Sequence, residues 1–506
     1  MNTSPLNIFD KYTDEQTLAQ IVDYATVGDM WAHSVATYPN NVAIDGAQKA
    51  TFAELDQMVA NFRTVLAENG VTKGDRVGLL MPNCMDFAKA FLAATTLGAV
   101  AVLLPAHLDE MTVFGCSMKF GLKALVYFEP FAGKLGLLQQ RNPACKTIVS
   151  TQTADAPTDA VQVEGAHPAT VLFTGGTTGR SKGALLSHQA LMRGTKNGCY
   201  GYRYVFEQRY ILALPLTHVF GLVRNLLTSL YTGSTIYFCQ NNKDLFRDVA
   251  MFRPTIMVLV PALAEMALNL SKQFGRNMWG DSMKTIICGA ATVAPYLVKE
   301  YTTLGITLLP GYGMTETANL VSGNAEAMAN PESVGFIYPG MEWKIVEGEL
   351  WLKGINMMDG YVGDDEENQK SYCDGWFKTG DLVKIDEKGF LYITGRKKEV
   401  IVLPTGENVS PAEVENEFYT IDEVQDCLVY EQIFEDGTWQ LVLEVLPRPA
   451  VVAKYPQDQV EAILKEKIAQ VNAKLPSFEK INKVIIRTTD FVRSPSMKIV
   501  RGQNKQ

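Results

Sequence analysis

The chain has 506 residues, of which 47% are hydrophobic and 20% are charged. The length predicts more than one domain, because a single hydrophobic core stops growing at about 250–300 residues. The net charge of -9 argues against nucleic acid as a partner, so anionic ligands must be bound by local cations.

The amino-terminal region carries no targeting signal that we can identify. Its first residues, MNTSPLNIFDKYTDEQ, lack the basic segment and the apolar run of a signal peptide. The longest apolar stretch, Phe91 to Pro105, is too interrupted for a membrane span and predicts a buried helix that passes through Leu97-Gly98 into a strand. The eight cysteines form no C-x-x-C pair, which predicts reduced thiols and no zinc site. We therefore expect a cytoplasmic protein without an integral membrane segment.

A glycine-rich segment, VLFTGGTTGRSKGALLSH, extends from Val171 to His188. Glycine lets backbone N–H groups turn toward an anion, and lysine and threonine add charge and donors, so the segment predicts a phosphate-binding loop. The P-loop of nucleotide triphosphatases is excluded, because it needs glycine directly before the lysine and a hydroxyl directly after it. Here Lys182 follows Ser181 and precedes Gly183. A glycine-rich surface turn with a solvated lysine is the alternative for this segment alone.

Strand-like and helix-like patterns alternate through most of the chain, for example at Arg76 to Met81, which predicts parallel sheets wrapped by helices. Three later runs, TIMVLVP, KTIICGAA and ITLLPGYGMTE, each end in small or polar residues. Ligands of open α/β sheets bind outside the carboxyl ends of the strands, so we expect the chemistry at these ends.

The pattern changes after about Gly340 to short strands and turns. Asp386 to Gly389 is a turn between two alternating segments and predicts a hairpin. Ser410 to Glu413 supplies an N-cap, a proline at the first helical position and a glutamate three residues after the cap, which predicts the start of a helix.

The end of the chain predicts a small α+β domain of about 110 residues, an ordinary size for a domain. Leu464, Ile468, Val471 and Leu475 fall on one face of a helix that Pro476 ends. The basic run GRKKE lies where a linker is expected, although a solvated turn is the alternative for that run alone.

Taken in order, these motifs resemble those of the AMP-forming adenylating superfamily, which includes acyl- and aryl-CoA synthetases, the adenylation domains of non-ribosomal peptide synthesis and beetle luciferases. The resemblance extends from TFAEL at Thr51 to PSMKIVR at Pro495 to Arg501. It implies an α/β fold with a large amino-terminal domain, residues 1–396, made of parallel, helix-wrapped sheets plus a β-rich subdomain. A small mobile α+β domain, residues 397–506, follows.

The resemblance also implies a reaction in which a carboxylate attacks the α-phosphate of ATP and releases pyrophosphate, and the acyl-adenylate is then transferred to a thiol, commonly that of CoA. ATP, Mg²⁺ and CoA are the implied cofactors. The residues implied to bind them are Thr174, Gly176, Thr177, Thr178, Gly179, Lys182, Gly289, Ala290, Ala291, Gly311, Tyr312, Gly313, Asp381 and Arg396.

Individual roles follow from the same resemblance. Thr177, Thr178 and Lys182 would hold the β- and γ-phosphates. Gly289-Ala290-Ala291 and Tyr312 would form the walls of the adenine slot. Gly175 and Ser181 stand where serine and proline are usual in the phosphate loop, and Pro310 stands where glutamine is common. These departures put one hydroxyl contact and one polar contact in doubt.

The remaining roles concern the ribose, the metal and catalysis. Asp381, an acceptor-only carboxylate, would bind both ribose hydroxyls, and Arg396 would add a second contact. Glu316 would help hold Mg²⁺, a cation that prefers oxygen ligands. Thr315 would reach the α-phosphate, and Lys498 would neutralise the charge that develops during adenylation.

A hinge and an acyl-pocket gate are also implied. Lys398 would be the hinge about which the small domain swings, bringing Val402 to Pro411, with Gly406, toward the site. His218, in PLTHVFG, resembles the residue that gates the acyl pocket; a structural histidine at a helix start is the alternative, and His188 is interpreted as structural.

Amino-acid-activating domains usually carry an aspartate near the position of His218. The absence of this aspartate favours an uncharged acyl tail, fatty or aromatic. The segment LVRNLLTSLYTG, which follows, would line or support the pocket for this tail. The expected partners are therefore a small carboxylic acid, ATP and CoA, with a carrier protein acting in trans as the alternative acceptor. A non-catalytic AMP-binding protein and a luciferase-like oxygenase remain as competing hypotheses, and the oligomeric state is left open.

Overall fold

Strands and helices alternate through most of the chain, as the apolar pattern predicted. The structure, a computed structural model, describes residues 9, 12–174, 182–403, 407–433, 439–493 and 499–504. The strands are β1 (Val42–Asp45), β2 (Ala50–Thr51), β3 (Arg76–Leu80), β4 (Val100–Leu104), β5 (Leu122–Tyr127), β6 (Lys146–Val149), β7 (Pro168–Thr174), β8 (Lys182–Ser187), β9 (Arg209–Leu212), β10 (Thr235–Phe238), β11 (Ile256–Leu259), β12 (Thr285–Cys288), β13 (Thr307–Met314), β14 (Asn319–Gly323), β15 (Phe336–Ile337), β16 (Glu342–Val346), β17 (Glu349–Lys353), β18 (Gly360–Tyr361), β19 (Tyr372–Cys373), β20 (Trp376–Ile385), β21 (Leu391–Arg396), β22 (Ile401–Val402), β23 (Asn408–Val409), β24 (Val424–Ile433), β25 (Trp439–Pro447) and β26 (Lys483–Ile486).

The helices include one π-helical segment, Phe220–Leu227, which follows the PLTHV sequence. No helix in the described ranges is both long enough and apolar enough to cross a lipid bilayer. The α-helices are α1 (Glu15–Gln20), α2 (Val27–Thr37), α3 (Phe52–Glu68), α4 (Met85–Thr96), α5 (Glu110–Lys119), α6 (Gly136–Arg141), α7 (His188–Asn197), α8 (Thr228–Tyr231), α9 (Leu245–Phe252), α10 (Pro261–Phe274), α11 (Pro295–Thr303), α12 (Asp365–Ser371), α13 (Pro411–Phe418), α14 (Pro449–Lys454) and α15 (Gln457–Asn472).

Two sheets are mainly parallel. One has seven strands in the order β18-β8-β7-β4-β3-β5-β6, and the other has nine in the order β15-β14-β13-β12-β11-β9-β10-β1-β2. Pairings among β3 to β7 in the first sheet, and among β1 and β9 to β13 in the second, are parallel. Antiparallel strands lie only toward the edges of these sheets as described. The predicted α/β class with parallel sheets is confirmed.

The layers follow from the two-residue period of the strands. In β11, Ile256 and Val258 belong to an apolar cluster shared by both sheets, whereas Met257 and Leu259 pack with α9, α10 and α11. Helix α4 lies in the shared cluster, and all of its residues except Asp86 are buried. Since α5 and α6 cover the other face of the seven-stranded sheet, the layers are stacked as helix, sheet, helix, sheet, helix.

The predicted β-rich part is confirmed as a five-stranded antiparallel sheet, in the order β16-β17-β20-β19 with β21 on β20. The predicted hairpin joins β20 to β21. The backbone N–H groups of Lys388 and Phe390 donate to Oδ1 of Asp386 at 3.0 and 2.9 Å, which fixes the turn. This sheet has its own apolar cluster, in which Leu350, Leu352 and others pack beside β14.

The carboxy-terminal part has a separate core between the three-stranded sheet β24-β25-β26 and helices α13 and α15. Helix α13 begins at Pro411 as predicted, but the predicted side-chain cap is wrong. The Ser410 hydroxyl donates to the carbonyl of Thr394 at the end of β21, so it ties the helix start to the preceding sheet instead of to its own N–H groups.

The last long helix also differs from the prediction at one end. Helix α15 buries Leu464 and Ile468 in the core, as the spacing predicted. It ends at Asn472, so Leu475 does not extend the helical face. The Asn472 side chain instead binds the backbone of Ile481 through both its amide and its carbonyl, which turns the chain, and Leu475 joins the core from that turn.

Candidate active site

Strand β13 of the nine-stranded sheet and the hairpin of β20 and β21 meet at the carboxylate of Asp381, which lies on β20 and is 2% exposed. The Tyr312 hydroxyl on β13 donates to one carboxylate oxygen at 2.6 Å. Nε of Arg396, at the end of β21, lies 2.7 Å from the other oxygen. Burial, followed by the charge of Asp381, raises the pKa of Tyr312 well above its ordinary value, so the phenol is a neutral donor. The site thus combines a fixed anion, a cation and an aromatic ring.

Close backbone packing brings the strands of the site together. A Cβ atom on Gly313 would lie 2.1 Å from the Asn319 carbonyl oxygen, and one on Gly289 would lie 2.8 Å from the Gly311 oxygen. No side chain can occupy such positions without moving backbone. Ala290, between the predicted walls of the slot, has a φ of 66°, a left-handed conformation that alanine rarely adopts. Ala291 next to it is exposed.

Strand β18, which pairs with the strand after the glycine-rich loop, approaches the acidic end of the GYGMTE motif through a tyrosine. The Tyr361 hydroxyl donates to Oε1 of Glu316 at 2.7 Å. The Lys182 ammonium lies 5.0 Å from the centroid of the Tyr361 ring and forms an ion pair with Glu367. One tyrosine therefore contacts both the lysine predicted for the phosphates and the glutamate predicted for the metal.

The residue predicted to reach the α-phosphate is held in a short 3₁₀ turn, Thr315–Thr317. Thr315 is buried, with 7% exposure. The Thr317 hydroxyl donates to the Asn319 carbonyl at 2.8 Å and accepts from the Met314 N–H at 3.2 Å. These bonds fix the turn independently of any ligand.

The segment with His218 is anchored to the first parallel sheet. The Asn83 side chain, just after β3, donates to the Leu214 carbonyl and accepts from the Leu216 N–H, both at 2.9 Å. Nδ1 of His218 accepts from the Phe220 N–H at 3.2 Å, at the start of the π-helical segment. His188 is buried, and its Nδ1 accepts from the Val27 N–H at 3.2 Å, as expected for a structural residue.

Five of the predicted site residues lie outside the described residues: Gly176, Thr177, Thr178, Gly179 and Lys498. The unusual Gly175 and Ser181, and Gly406, lie outside them as well. Thr174 and Lys182, on either side of the glycine-rich loop, are paired directly across β7 and β8. Pro310 lacks an N–H, but its carbonyl accepts from the Asn324 N–H at 2.9 Å.

Comparison with known proteins decides the family. The family described as AMP-binding enzyme matches residues 31–362, which is more than half of the chain, and the AMP-binding enzyme C-terminal domain matches residues 398–506. The chain belongs to the family of AMP-binding enzymes. This agrees with the resemblance inferred from the motifs.

Individual relatives of this AMP-binding enzyme are distant. A feruloyl-CoA synthase of Amycolatopsis sp is 27% identical over 90% of this chain and 94% of its own. The long-chain-fatty-acid–CoA ligase FadD13 of Mycobacterium tuberculosis is 26% identical over 90% of this chain and 92% of its own.

Solved structures are similar over nearly the whole chain. The anthranilate CoA ligase AuaEII in complex with anthranoyl-AMP has a TM-score of 0.85 at 19% identity, covering 95% of this chain and 96% of that one. The o-succinylbenzoate CoA synthetase MenE of Bacillus subtilis in complex with OSB-AMP has a TM-score of 0.79 at 24% identity, covering 94% of this chain and 98% of that one. At these identities the likeness supports the fold, including the carboxy-terminal domain.

The described residues of this AMP-binding enzyme fit a magnesium nucleotide. Asp381 offers carboxylate oxygens suited to a ribose diol. Glu316 offers a hard oxygen ligand, and Lys182 a cation for phosphate. The ion pairs of Asp381 with Arg396 and of Lys182 with Glu367 hold opposite charges close together in the site.

Sequence reasoning missed three residues that position the site, namely Asn83, Tyr361 and Glu367. Asn83 ends the GDRVGLLMPN run, and a side-chain amide directly after a buried strand was the available signal. Tyr361 and Glu367 lie in a polar segment, YVGDDEENQK, without a recognisable motif. Their roles arise because β18 adds to the edge of the seven-stranded sheet beside β8, a pairing that local pattern does not encode.

The predicted hinge residue, Lys398, is exposed in a 3₁₀ turn, Lys397–Glu399, between β21 and β22. Its neighbours are held at both sides. Lys397 donates to Glu349 on β17 at 3.0 Å, and Glu399 lies 3.0 Å from Arg501 near the carboxy terminus. Lys398 therefore lies between Lys397, which contacts the amino-terminal part of the chain, and Glu399, which contacts the carboxy-terminal part.

Proposed function

We propose that this AMP-binding enzyme is an ATP-dependent ligase that joins a carboxylic acid to coenzyme A. The carboxylate attacks the α-phosphate of ATP, a carboxylate–phosphorus bond forms and pyrophosphate leaves. The CoA thiol then attacks the acyl carbon, and AMP leaves. The observation that supports this most directly is the meeting of Tyr312, Asp381 and Arg396, from three separate motifs, at one buried carboxylate. The printed names of the relatives, which are CoA synthases and ligases, support CoA as the acceptor.

The nucleotide is held by residues of both parallel sheets and the antiparallel sheet. Asp381 accepts from the two ribose hydroxyls, and Arg396 holds the carboxylate in place and adds a contact. Tyr312 lies against one face of the adenine and Gly289-Ala290-Ala291 against the other. Lys182 exchanges Glu367 for the leaving phosphates, together with Gly176, Thr177, Thr178 and Gly179 of the loop. Thr174 ends the strand that leads into this loop.

Adenylation requires charge neutralisation where the carboxylate meets the α-phosphate. Thr315 donates to an α-phosphate oxygen, and Lys498 places its ammonium between the two reacting groups. Glu316 would hold Mg²⁺, which would supply positive charge to neutralise phosphate oxygens. His218 separates the acyl pocket from the CoA entrance. Each group acts on the transition state by position and charge, the main means of catalysis in phosphoryl transfer.

The two half-reactions need two arrangements of the chain. Residues 1–396 form the nucleotide-binding domain and residues 397–506 a small domain that carries Lys498. Rotation about Lys398 withdraws Lys498 after adenylation and presents Val402 to Pro411, with Gly406, to the site. The separate core of the small domain supports its movement as one body.

The decisive experiment is mass spectrometry of the products after the purified protein is incubated with ATP, Mg²⁺, CoA and a pooled library of carboxylic acids. We expect one or more acyl-CoA products with an equal amount of AMP. Reactions without CoA and reactions with D381N protein serve as controls. Acyl-adenylate and AMP without any thioester would indicate another acceptor, such as a carrier-protein phosphopantetheine. Absence of AMP with every acid would contradict ligase activity and favour a non-catalytic AMP-binding protein.

A further inference from the structure

A buried arginine lies in the π-helical segment Phe220–Leu227 without a counter-ion. Arg224 is 1% exposed, and no acidic side chain of the described residues pairs with it. Its Nε and Nη1 atoms are buried and have no hydrogen-bond partner in the described part of the chain. A guanidinium stays protonated in proteins, and an uncompensated buried charge is strongly destabilising. The position therefore has a binding capacity that the fold itself does not use.

The surroundings of Arg224 offer only neutral oxygens. The guanidinium carbon lies 5.4 Å from the centroid of the Tyr202 ring. The Tyr210 hydroxyl is buried close to the guanidinium. Burial raises the pKa of Tyr338 to about 12, so this ring also stays neutral at ordinary pH. These phenols are neutral, and the Tyr202 hydroxyl already donates to the Gly198 carbonyl at 2.7 Å, so they do not neutralise the cation.

The arginine faces a cavity that adjoins the nucleotide strands. Arg224 and Tyr202 line it on one side, and Ile287, Pro310 and Gly311 of β12 and β13 line it on another. Phe220, one turn before Arg224, lies 3.5 Å from where a Cβ of Gly289 would be. The cavity is narrow, with room for about one water-sized group, so it suits the tip of a ligand and not a long chain.

We propose that Arg224 binds a second carboxylate, carried by the acid at the end away from the reacting carboxyl group. This rests on the proposed ligase function and names its substrate class, a short or aromatic dicarboxylic acid. A carboxylate matches the planar guanidinium with two parallel hydrogen bonds and supplies the missing charge. The missing aspartate near His218 predicted an uncharged acyl tail in a pocket that LVRNLLTSLYTG would line or support, whereas the present proposal places a carboxylate at the end of that tail.

The test compares acids with the same number of carbon atoms, in which a carboxylate of one member is replaced by a methyl group in the other. The purified protein is assayed for AMP release with glutarate against pentanoate, and with benzene-1,3-dicarboxylate against 3-methylbenzoate. In the pair that contains the better substrate, we expect kcat/KM to be about 10²-fold higher for the dicarboxylate than for the monocarboxylate. A site built around a buried polar group rejects the analogue that leaves this group unpaired. In the Arg224→Met protein the preference is expected to disappear or to reverse.

The remaining variants separate charge from folding. Arg224→Lys keeps the charge without the planar fork and is expected to retain part of the preference. Arg247→Met, an exposed arginine of α9, is the matched control and should leave the preference unchanged. If thermal unfolding shows that Arg224→Met does not fold, the preference of the unaltered protein for dicarboxylates over monocarboxylates tests the proposal by itself.

Two outcomes overturn the proposal in distinguishable ways. If the monocarboxylic acids are turned over as well as the dicarboxylic acids, or better, the role of Arg224 is refuted and the ligase function is left intact. The role of Arg224 is also refuted if Arg224→Met lowers AMP release equally with both acids of a pair. A merely structural arginine does not discriminate between the two acids. Absence of AMP with every acid contradicts the ligase function itself and the substrate class with it.

Discussion

At the scale of single residues, the carboxylate of Asp381 is held more firmly than any solvent-exposed aspartate could be. Both of its oxygens are engaged, by Tyr312 at 2.6 Å and by Arg396 at 2.7 Å. Its own N–H donates to the Thr379 hydroxyl at 3.1 Å, which fixes the backbone. Such preorganisation means that a ligand diol meets an acceptor already in position, so little entropy is lost on binding.

We expect Asp381→Asn to lower kcat/KM for ATP by about 10²-fold, because the amide lacks the charge and presents only one acceptor oxygen. The measurement is acid-dependent AMP release over a range of ATP concentrations. Asp374→Asn is the matched control, since Asp374 is exposed in a turn of the same sheet and its φ of 50° suits asparagine as well. Equal loss in both variants would indicate a folding defect and not a lost ligand contact.

The pair of Lys182 and Glu367 is the second residue-scale feature with a measurable consequence. The two side chains are 15% and 24% exposed, so their attraction is only partly screened. Lys182 must leave Glu367 to contact phosphate, so the pair competes with the nucleotide. We expect Glu367→Gln to lower KM for ATP by up to about fivefold, the range of a single ion pair of this kind. An increase in KM would mean that Glu367 positions Lys182 for phosphate instead.

The matched control for that substitution is Glu366→Gln, one residue earlier on α12, whose carboxylate is exposed and pairs with Lys370. It should leave KM for ATP unchanged. Isothermal titration with ADP provides a second reading that does not depend on turnover.

At the scale of elements, the two sheets and their helices could be predicted because each strand and helix carries its own signal. The strands β3, β11, β12 and β13 lie where the apolar runs placed them. The helix-to-strand reading of Phe91 to Pro105 is confirmed by α4 and β4. What local pattern could not supply is pairing between distant segments, such as β18 with β8, because register depends on the whole fold.

The antiparallel pair β13 and β14 shows why glycine is needed at one position and not at another. We expect Gly313→Ala to destabilise the protein by several kcal/mol and to abolish AMP release, because its Cβ would meet backbone oxygen at 2.1 Å. Gly115→Ala on α5, where a Cβ would have nothing within 4 Å, should instead stabilise the protein by about 0.5–1 kcal/mol. Thermal and urea unfolding of both variants provide the comparison. Similar destabilisation by the two would contradict the packing argument.

At the scale of the whole molecule, the sequence brought together the residues of the nucleotide site only through the family resemblance. Tyr312 and Asp381 lie on different sheets, and composition and periodicity supplied no reason for their contact. The supporting residues Tyr361 and Glu367, and the buried Arg224, follow no motif, so only the three-dimensional structure shows their contacts. Motifs locate ligand contacts, whereas the groups that orient those contacts depend on packing.

The proposed hinge predicts a separation of the two half-reactions. Lys398→Pro restricts φ at the turn and should spare acyl-adenylate formation while abolishing thioester formation. Acid-dependent exchange of pyrophosphate into ATP measures the first step, and acyl-CoA measures the second. Lys388→Gln, in the exposed hairpin of β20 and β21, is the control for the loss of an exposed lysine near this turn. Equal loss of both steps in Lys398→Pro would argue against a hinge at this residue.

The two parts of the chain also touch at a buried cluster away from Lys398. Arg448, after β25, lies 3.7 Å from Glu265 on α10, and its guanidinium carbon lies 4.1 Å from the centroid of the Tyr296 ring on α11. Both helices start at the carboxyl ends of nucleotide-site strands, so this contact helps to hold the carboxy-terminal part against that edge. Burial raises the pKa of Glu265 to about 7, although Arg448 acts in the opposite direction.

This cluster predicts that the contact depends on pH. Because burial favours the protonated carboxyl group, the contact is most favourable below the ordinary pKa of a glutamate and weakens as the pH rises through about 7. We expect hydrogen exchange of the α10 and α11 amides, corrected for intrinsic rates, to increase over this interval. The Glu265→Gln side chain stays neutral and should remove the dependence. Glu300 is a partly exposed carboxylate of α11 that pairs with Lys272, and Glu300→Gln should keep the dependence. If hydrogen exchange in the unaltered protein depends on pH as little as it does in Glu265→Gln, then Glu265 does not titrate with the contact.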